Sequence, residues 1–387
     1  DGSVVTWGLS RDGGNSEEVA NQLSSGVDEI ISTNYSFAAL KNDGSVVTWG
    51  RDKNGGQIDY LWGPWSATSN NTSNTNGDLN ALQNNVSKIF PMSDGLFAAI
   101  KEDGSVVVWG YGYSGVWLKD RDPDVIRFVE VSDQLRNDVI SIYSTNNAAA
   151  ALKSDGSVVT WGWKTRGGDS SSISSQLDSD VTSISSTGYA FAALKSDGSV
   201  ITWGDQEYGG NSSSVSDLIS SDVKKIYGSR DTFAALKNDG SVVAWGQNQD
   251  VPIAGSTFTP WRSVKHKLTE GVIDVVQNGQ SDSWAALKND GSIVTWGTND
   301  YGGNGSSSVD QLSSGFVALN NILTDEKITL FLIQTSSTNI AEGDKLTTTV
   351  RTTNIEAGTN IYWSISGENI DSNDLISGDL EGVSQVK

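Results

Sequence analysis

Few residues in this chain could make or break bonds. Among 387 residues there is one histidine, His266, and no cysteine. Ser-His-Asp and Cys-His mechanisms both need an imidazole to move a proton. This imidazole lies in Lys265-His266-Lys267, where no nucleophile stands nearby. A histidine- or cysteine-based zinc site is excluded on the same inventory, and so are disulfides and thiolate chemistry. The 47 acidic residues are scattered without an isolated pair, which leaves a two-carboxylate glycosidase as the one catalytic class still open. No catalytic residue, resident metal or cofactor is assigned. Oxygen-rich loops at Asp52 to Gly56 and Asp300 to Asn304 offer calcium as an alternative. They lack the spaced carboxylates of a calcium loop, and turn chemistry accounts for their glycines.

Residues suited to recognition are more plentiful. Three aromatic groups stand in polar stretches: Tyr60, Trp62 and Trp65; Tyr111, Tyr113 and Trp117; and Phe258, Trp261 and Arg262, with Trp163 close to the second group. Aromatics and arginine are the side chains enriched at binding hot spots. Two readings stay open for them: a patch that binds a protein or a surface glycan, or rings that pack the loops onto the scaffold.

The scaffold that would position them is repetitive. The octapeptide Asp-Gly-Ser-(Val/Ile)-(Val/Ile)-x-Trp-Gly occurs seven times, beginning at Asp1, Asp43, Asp103, Asp155, Asp197, Asp239 and Asp290. A residue copied this regularly serves the fold, so Trp7, Trp49, Trp109, Trp161, Trp203, Trp245 and Trp296 are expected to be structural plates wedged against neighbouring units. Six copies follow a strand ending in Ala-Leu-Lys or Ala-Ile-Lys, and the Asp-Gly dipeptide predicts a hairpin closed by a two-residue primed turn. A further strand precedes each pair, with apolar residues spaced as in Val27 and Ile30, Val181 and Ile184, or Val223 and Ile226. Units of 42 to 60 residues, each with three or four short antiparallel strands, predict an all-β chain of propeller blades.

The connector from each Trp-Gly to the next strand is what differs between copies. It holds 18 residues between Gly8 and Val27, Gly162 and Val181, Gly204 and Val223, and Gly297 and Phe316. It holds 35 between Gly50 and Val86, 28 between Gly110 and Val139, and 25 between Gly246 and Val272. The three aromatic groups lie in these three longer connectors. They leave equivalent points of equivalent units, so they should emerge on one rim.

The run Ala-Leu-Lys-x-Asp-Gly-x-Val-x-x-Trp-Gly followed by a Gly-Gly-Asn loop resembles the regulator of chromosome condensation repeat family, over roughly residues 1 to 322. The resemblance implies a seven-bladed β-propeller. It implies much less about activity, because relatives include a Ran exchange factor, a plant ultraviolet photoreceptor, a secreted β-lactamase inhibitor and bacterial surface proteins. The Gly-Trp-Arg-His-Thr signature of the photoreceptor is missing; only Trp261-Arg262 matches part of it. With 26 basic against 47 acidic residues the net charge is −21, which opposes contact with nucleic acid. Acidity of this kind keeps a Gly- and Ser-rich β-protein soluble.

From about Thr335 the octapeptide is gone. Ala341 to Val350 and Gly358 to Ile365 alternate polar with apolar or β-branched residues and resemble the start of a bacterial immunoglobulin-like or Calx-beta module. The expected domains are a propeller over 1–334 and a partial β-sandwich module over 335–387. The chain starts inside a repeat and reads as part of a longer polypeptide. Phe316, Leu319 and the Ile328 to Ile333 run are candidates to close the first blade. The expected function is a non-catalytic binding or structural module of a secreted or cell-surface bacterial protein. A secreted inhibitor that caps an enzyme's active site is the alternative, and a glycosidase is third.

Overall fold

The computed structural model describes residues 1–51, 56, 61–62, 79–92, 95–110, 123–247, 258–278, 282–299, 303, 322–324, 327–329, 331–335, 348–352, 360–364 and 381–385. The chain separates into two compact units, Asp1–Gln249 and Asp250–Lys387. Both are built from antiparallel strands, and no helix among the described residues is long and apolar enough to cross a membrane.

In the first unit the three-strand pattern expected for each copy forms five times. Val27–Ser32, Ser36–Lys41 and Val46–Gly50 make one sheet in that order. Sheets of the same order follow from Val86–Pro91, Val139–Ser144, Val181–Ser186 and Val223–Gly228, each with its two partner strands. Register is the same throughout: Phe37 opposes Trp49 and Ala39 opposes Val47, just as Phe191 opposes Trp203 and Ala193 opposes Ile201. Both faces of the middle strand are covered, and Ala38, Ala39, Ala192, Ala193, Ala234 and Ala235 have no exposed surface. Alanine at these places lets neighbouring backbones approach, and larger side chains fill the space beyond. Each core is therefore shared by two successive sheets. Leu40 and Val46 of one pack with Phe97 and Trp109 of the next, and Leu152 of the third packs with Phe191 and Trp203 of the fourth.

The repeat tryptophan links those sheets by a directed bond as well as by area. Trp49 Nε1 donates to Gly13 O at 3.1 Å, Trp203 Nε1 to Gly167 O at 3.0 Å and Trp245 Nε1 to Gly209 O at 3.0 Å. Each ring also stacks at 5.2 Å on the phenylalanine opposite it in its own sheet. The accepting glycine has φ near +100°, and a β-carbon on Gly167 would lie 2.5 Å from the Phe191 ring. Only glycine serves there. Trp109 and Trp161, which follow the two long connectors of this unit, have no such acceptor among the described residues.

The Asp-Gly turn differs from the primed two-residue form expected. Gly44 N–H donates to Lys41 O at 2.8 Å and Lys41 N–H to Ser45 O at 2.9 Å, so Asn42, Asp43 and Gly44 form a three-residue loop. Glycine alone takes positive φ in it, at +74°. This is a type I turn followed by a left-handed bulge residue. The serine decides the outcome: Asp43 Oδ1 accepts from both Ser45 N–H, at 2.9 Å, and Ser45 Oγ–H, at 2.6 Å. The Lys of Ala-Leu-Lys has a role too. Lys41, Lys153, Lys195 and Lys237 each donate Nζ to a connector carbonyl 19 residues earlier.

Connector length decides the fourth strand. Where the connector is long, a two-residue strand joins the third strand of the following sheet: Leu61–Trp62 beside Trp109 and Val108, and Val125–Ile126 beside Gly162 and Trp163. Among the described connectors of 18 residues no such strand forms, and short helical turns such as Ser171–Gln176 lead to the next sheet, as Ser132–Leu135 does at the end of a long connector.

In the second unit Val272–Gln277, Ser283–Lys288 and Ile293–Thr298 repeat the sheet, with Phe258–Thr259 as fourth strand. The proposed closing residues Phe316 and Leu319 lie outside the described residues. Of the Ile328 to Ile333 run, Lys327–Thr329 pairs with Ile322–Thr324 and Phe331–Thr335 with Thr348–Thr352. Asn360–Ser364 pairs with Glu381–Gln385.

Trp203→Phe keeps a ring on Phe191 but removes the bond to Gly167 and some volume. It should cost about 2–3 kcal/mol in urea unfolding; a loss under about 0.5 kcal/mol would show the bond to be idle. The turn carboxylates give a second expectation. Bonds from the Ser157 hydroxyl and amide hold Asp155 below the usual carboxylate range, and the equivalent serines do the same at Asp43, Asp197, Asp239 and Asp290. A carboxyl with a depressed folded pKa adds stability above its unfolded pKa, about 3.9, and loses it as pH falls through the folded value. Denaturation midpoints should therefore fall below about pH 4, and the fall should be shallower in an Asp155→Asn, Asp197→Asn, Asp239→Asn variant.

Candidate binding face

In the first unit, the end of each third strand meets the turn between the first and second strands of the same sheet. Backbone bonds fix this edge: Arg51 N–H donates to Tyr35 O, Trp163 N–H to Asn147 O, Asp205 N–H to Tyr189 O and Gln247 N–H to Asp231 O. Neighbouring turns are joined in turn, with Asn146 N–H to Gly188 O at 2.8 Å and Gly188 N–H to Arg230 O at 2.7 Å. A β-carbon on Gly188 would come within 3.1 Å of Arg230 O. Arg51, Trp163, Asp205 and Gln247, each the residue after a Trp-Gly, are thereby brought to the rims of their sheets. Both long connectors of this unit start from that point, after Gly50 and after Gly110.

Charged and aromatic side chains line the seams at this rim. Arg51 Nη2 pairs with Asp12 Oδ1 of the preceding connector at 2.7 Å, and its guanidinium lies 4.0 Å over the Tyr35 ring. Further along the rim the charges are exchanged: Arg166 Nη1 pairs with Asp205 Oδ2 at 2.9 Å and lies 4.1 Å over Tyr189. Tyr189 meets Tyr208 edge-on at 4.6 Å. Burial, together with Asp231, Tyr189 and Asp205, pushes the Tyr208 phenol upward against the opposing pull of Arg166. These side chains are partly exposed, with Arg166 at 33% and Asp205 at 22%. The rim therefore presents planar cations, phenols and carboxylates together, a composition suited to a polar partner with apolar parts. Sequence reasoning missed these residues. Their signal was the exchange of Asp12/Arg51 for Arg166/Asp205 at one spacing in two repeat copies.

Of the aromatic residues singled out from sequence, Tyr60, Trp65, Tyr111, Tyr113 and Trp117 lie outside the described residues. Trp62 and Phe258 stand in fourth strands, opposite Val108 and Thr298. Trp163 ends a third strand at the rim, half-buried, beside Val125. Trp261 opens a short helical turn, Trp261–Val264, and packs edge-on against Trp296 at 5.3 Å, while Arg262 is exposed. Phe128 does the same to Trp161 at 5.6 Å. That contact is compensatory: the residue opposite Trp161 is Ala149, where other sheets have Phe or Trp. Trp7 is 84% exposed, and no strand pairs with its octapeptide among the described residues. His266 is exposed. Among the described residues no three His, Cys, Asp or Glu side chains gather to hold a metal.

No protein-family model and no curated protein matches the chain. Among solved structures it is similar to the ectodomain of the Physcomitrella patens receptor kinase CR4, at 14% identity over 70% of this chain with a TM-score of 0.37. The match spans 63% of that ectodomain. Human WBSCR16 gives 17% identity over 68% of this chain and 74% of its own, with a TM-score of 0.40. Prp20p from Saccharomyces cerevisiae gives 14% over 70% and 72%, with 0.37.

An exchange variant tests the seam. Arg166→Ala should weaken the unit by less than about 1 kcal/mol, since the pair is partly solvated. Arg166→Asp combined with Asp205→Arg should restore most of the loss by recreating the Asp12/Arg51 arrangement. Additive losses in the double variant would show that the pair does not couple the two sheets.

Proposed function

We propose that the chain is a non-catalytic binding or structural module of a larger secreted or cell-surface bacterial protein, with a seven-bladed propeller over 1–334 and a partial β-sandwich module over 335–387. It engages a protein or surface glycan through the long connectors and the rim from which they leave. The observation that carries this reading is positional: the connectors rich in Tyr and Trp start at the same rim that holds the Arg–Tyr–Asp seams. Tyr60, Trp62, Trp65, Tyr111, Tyr113, Trp117 and Trp163 are the proposed contact residues on the first unit, with Phe258, Trp261 and Arg262 as the corresponding group on the second. Trp261 and Phe258 also serve their sheet, so the strongest contribution to binding is assigned to the first two groups.

The two long connectors of the first unit contain neither histidine nor cysteine, which fits recognition better than turnover. The repeated octapeptide supplies rigidity, and a rigid platform carrying variable loops is the usual way a repeat fold acquires a partner.

Replacing Trp62, Trp65 and Trp117 together by Ala should abolish capture of the partner, by tenfold or more in affinity, while shifting the melting temperature by no more than about 2–4 °C. The assay is a glycan array run beside a pull-down from cell-surface extracts. Loss of folding in the variant would assign these rings to packing instead, and an unchanged hit would place the contact elsewhere.

A further inference from the structure

The seam that carries Arg166 repeats the one that carries Arg51, with one ring added. Arg166, Tyr189 and Asp205 each stand 154 positions after Asp12, Tyr35 and Arg51, so the ion pair runs in the opposite direction past an equivalent tyrosine. Tyr208 stands 42 positions after Arg166, at the same place in the next connector. Its ring meets Tyr189 edge-on at 4.6 Å, and the Arg166 guanidinium lies 5.9 Å from its centre. Two neighbouring seams thus merge into one surface. The backbone beneath it is fixed: Asp205 N–H donates to Tyr189 O at 3.0 Å, Gly210 N–H to Asp205 O at 2.8 Å and Thr187 Oγ1–H to Tyr208 O at 2.9 Å. Gly209, next to Tyr208, gives its carbonyl to Trp245 Nε1–H at 3.0 Å, which locks this loop to the following sheet.

This surface has more hydrogen-bonding capacity than its own contacts use. Arg166 gives a single N–H, from Nη1 to Asp205 Oδ2 at 2.9 Å, while Tyr189 holds the guanidinium plane in place at 4.1 Å. The other donors of that guanidinium have no acceptor among the described residues, and neither the Tyr189 nor the Tyr208 hydroxyl makes a hydrogen bond there. The raised Tyr208 phenol keeps its proton at neutral pH and can donate it. The charges balance, with Arg166 on Asp205 and Arg230 Nε 3.7 Å from Asp231 Oδ1. An ionic partner would meet a like charge beside every unlike one. Nor does the seam offer an aliphatic anchor for a polypeptide. The exposed large apolar side chains described in this unit are Val5, Trp7, Leu9, Ile30, Ile140 and Leu218, and none stands at 163–168, 187–190 or 205–210. An uncharged polyhydroxylated ring matches what is present: its hydroxyls both donate and accept, and its C–H face packs on planar groups of low conformational entropy.

We propose that Arg166, Tyr189, Asp205 and Tyr208 form a subsite for one uncharged sugar residue of a glycan. The sugar packs its C–H face against the phenol rings and the guanidinium plane, accepts the spare N–H donors of Arg166 on its oxygens, and exchanges hydrogen bonds with the two phenols. The Arg51 seam has Asn54 at the sequence position equivalent to Tyr208 and is left out of the subsite. The inference rests on the rim being the binding face, and it selects a glycan over a protein as the partner there.

The test titrates the full 387-residue chain by calorimetry with uncharged hexasaccharides of glucose, mannose and N-acetylglucosamine, beside an anionic galacturonate hexamer. At least one uncharged probe should bind saturably and more tightly than the galacturonate. Tyr208→Ala and Arg166→Gln should each weaken it by at least about fivefold, with Tyr208→Phe, which loses only the hydroxyl, between parent and Tyr208→Ala. The replaced groups are partly solvated, so melting temperatures should stay within about 2 °C of the parent. Should Tyr208→Ala unfold, Arg166→Gln and Tyr208→Phe carry the comparison. Tighter binding of the galacturonate overturns the uncharged class, and uncharged binding that is equal in parent and variants overturns the subsite. If no probe binds while a surface protein is captured and then lost on replacing Trp62, Trp65 and Trp117 by Ala, the subsite falls and the broader reading of the rim and connectors stands. Silence toward both glycans and proteins overturns both.

Discussion

Burial of the repeat indole between successive sheets is the contact on which the first unit depends, reinforced by an Nε1–H bond at Trp49, Trp203 and Trp245 and carried by packing at Trp109 and Trp161. At Trp49 the indole lies flat on the ring opposite it in its own sheet and reaches by Nε1–H to a glycine carbonyl of the preceding connector. One side chain thus ties its own sheet to the path of the preceding connector. The glycine is bound to the same requirement, because a side chain there would enter the Phe ring. A hydrogen bond is worth only about 1 kcal/mol net, yet a buried indole N–H left without an acceptor costs more than that, so the alternative packings are penalised as well as the observed one favoured.

Repetition of such a contact leaves little room for an asymmetric site within the sheets. Variation is confined to the connectors and to the residues that flank them at the rim. There the chain exchanges Asp12 and Arg51 for Arg166 and Asp205 and keeps a tyrosine beneath each arginine. The long connectors do two things at once. They add a short strand and, at Phe128 and Trp261, an extra ring for a repeat tryptophan, and they carry the aromatic residues proposed for binding.

Much of the local structure was legible in the sequence. The strand triplets follow from alternation around each Asp-Gly, and the octapeptide tryptophans from Trp49 to Trp296 are buried as their repetition implied. The turn type was misjudged because the hairpin signal of Asp-Gly ignores the following serine, whose hydroxyl and amide bind the aspartate and leave positive φ to glycine alone. The Arg–Asp pairs of the seams do not show in local sequence because their partners stand 39 residues apart, in successive repeat copies. The ring supplied by Phe128 was hidden in the same way.

By itself the sequence determined what short-range physics can determine: the all-β character, the length of the repeat, the places where strands start and stop, and the absence of cysteine and near absence of histidine. Those properties depend on residue type and on spacing within a few positions. Only the tertiary structure decided which side chains meet across successive sheets: which carbonyl accepts the indoles of Trp49, Trp203 and Trp245, which arginine lies over which tyrosine, and which ring meets Trp161. Those outcomes depend on volume and hydrogen-bond geometry between segments tens of residues apart, where many pairings satisfy the same pattern and packing selects one of them.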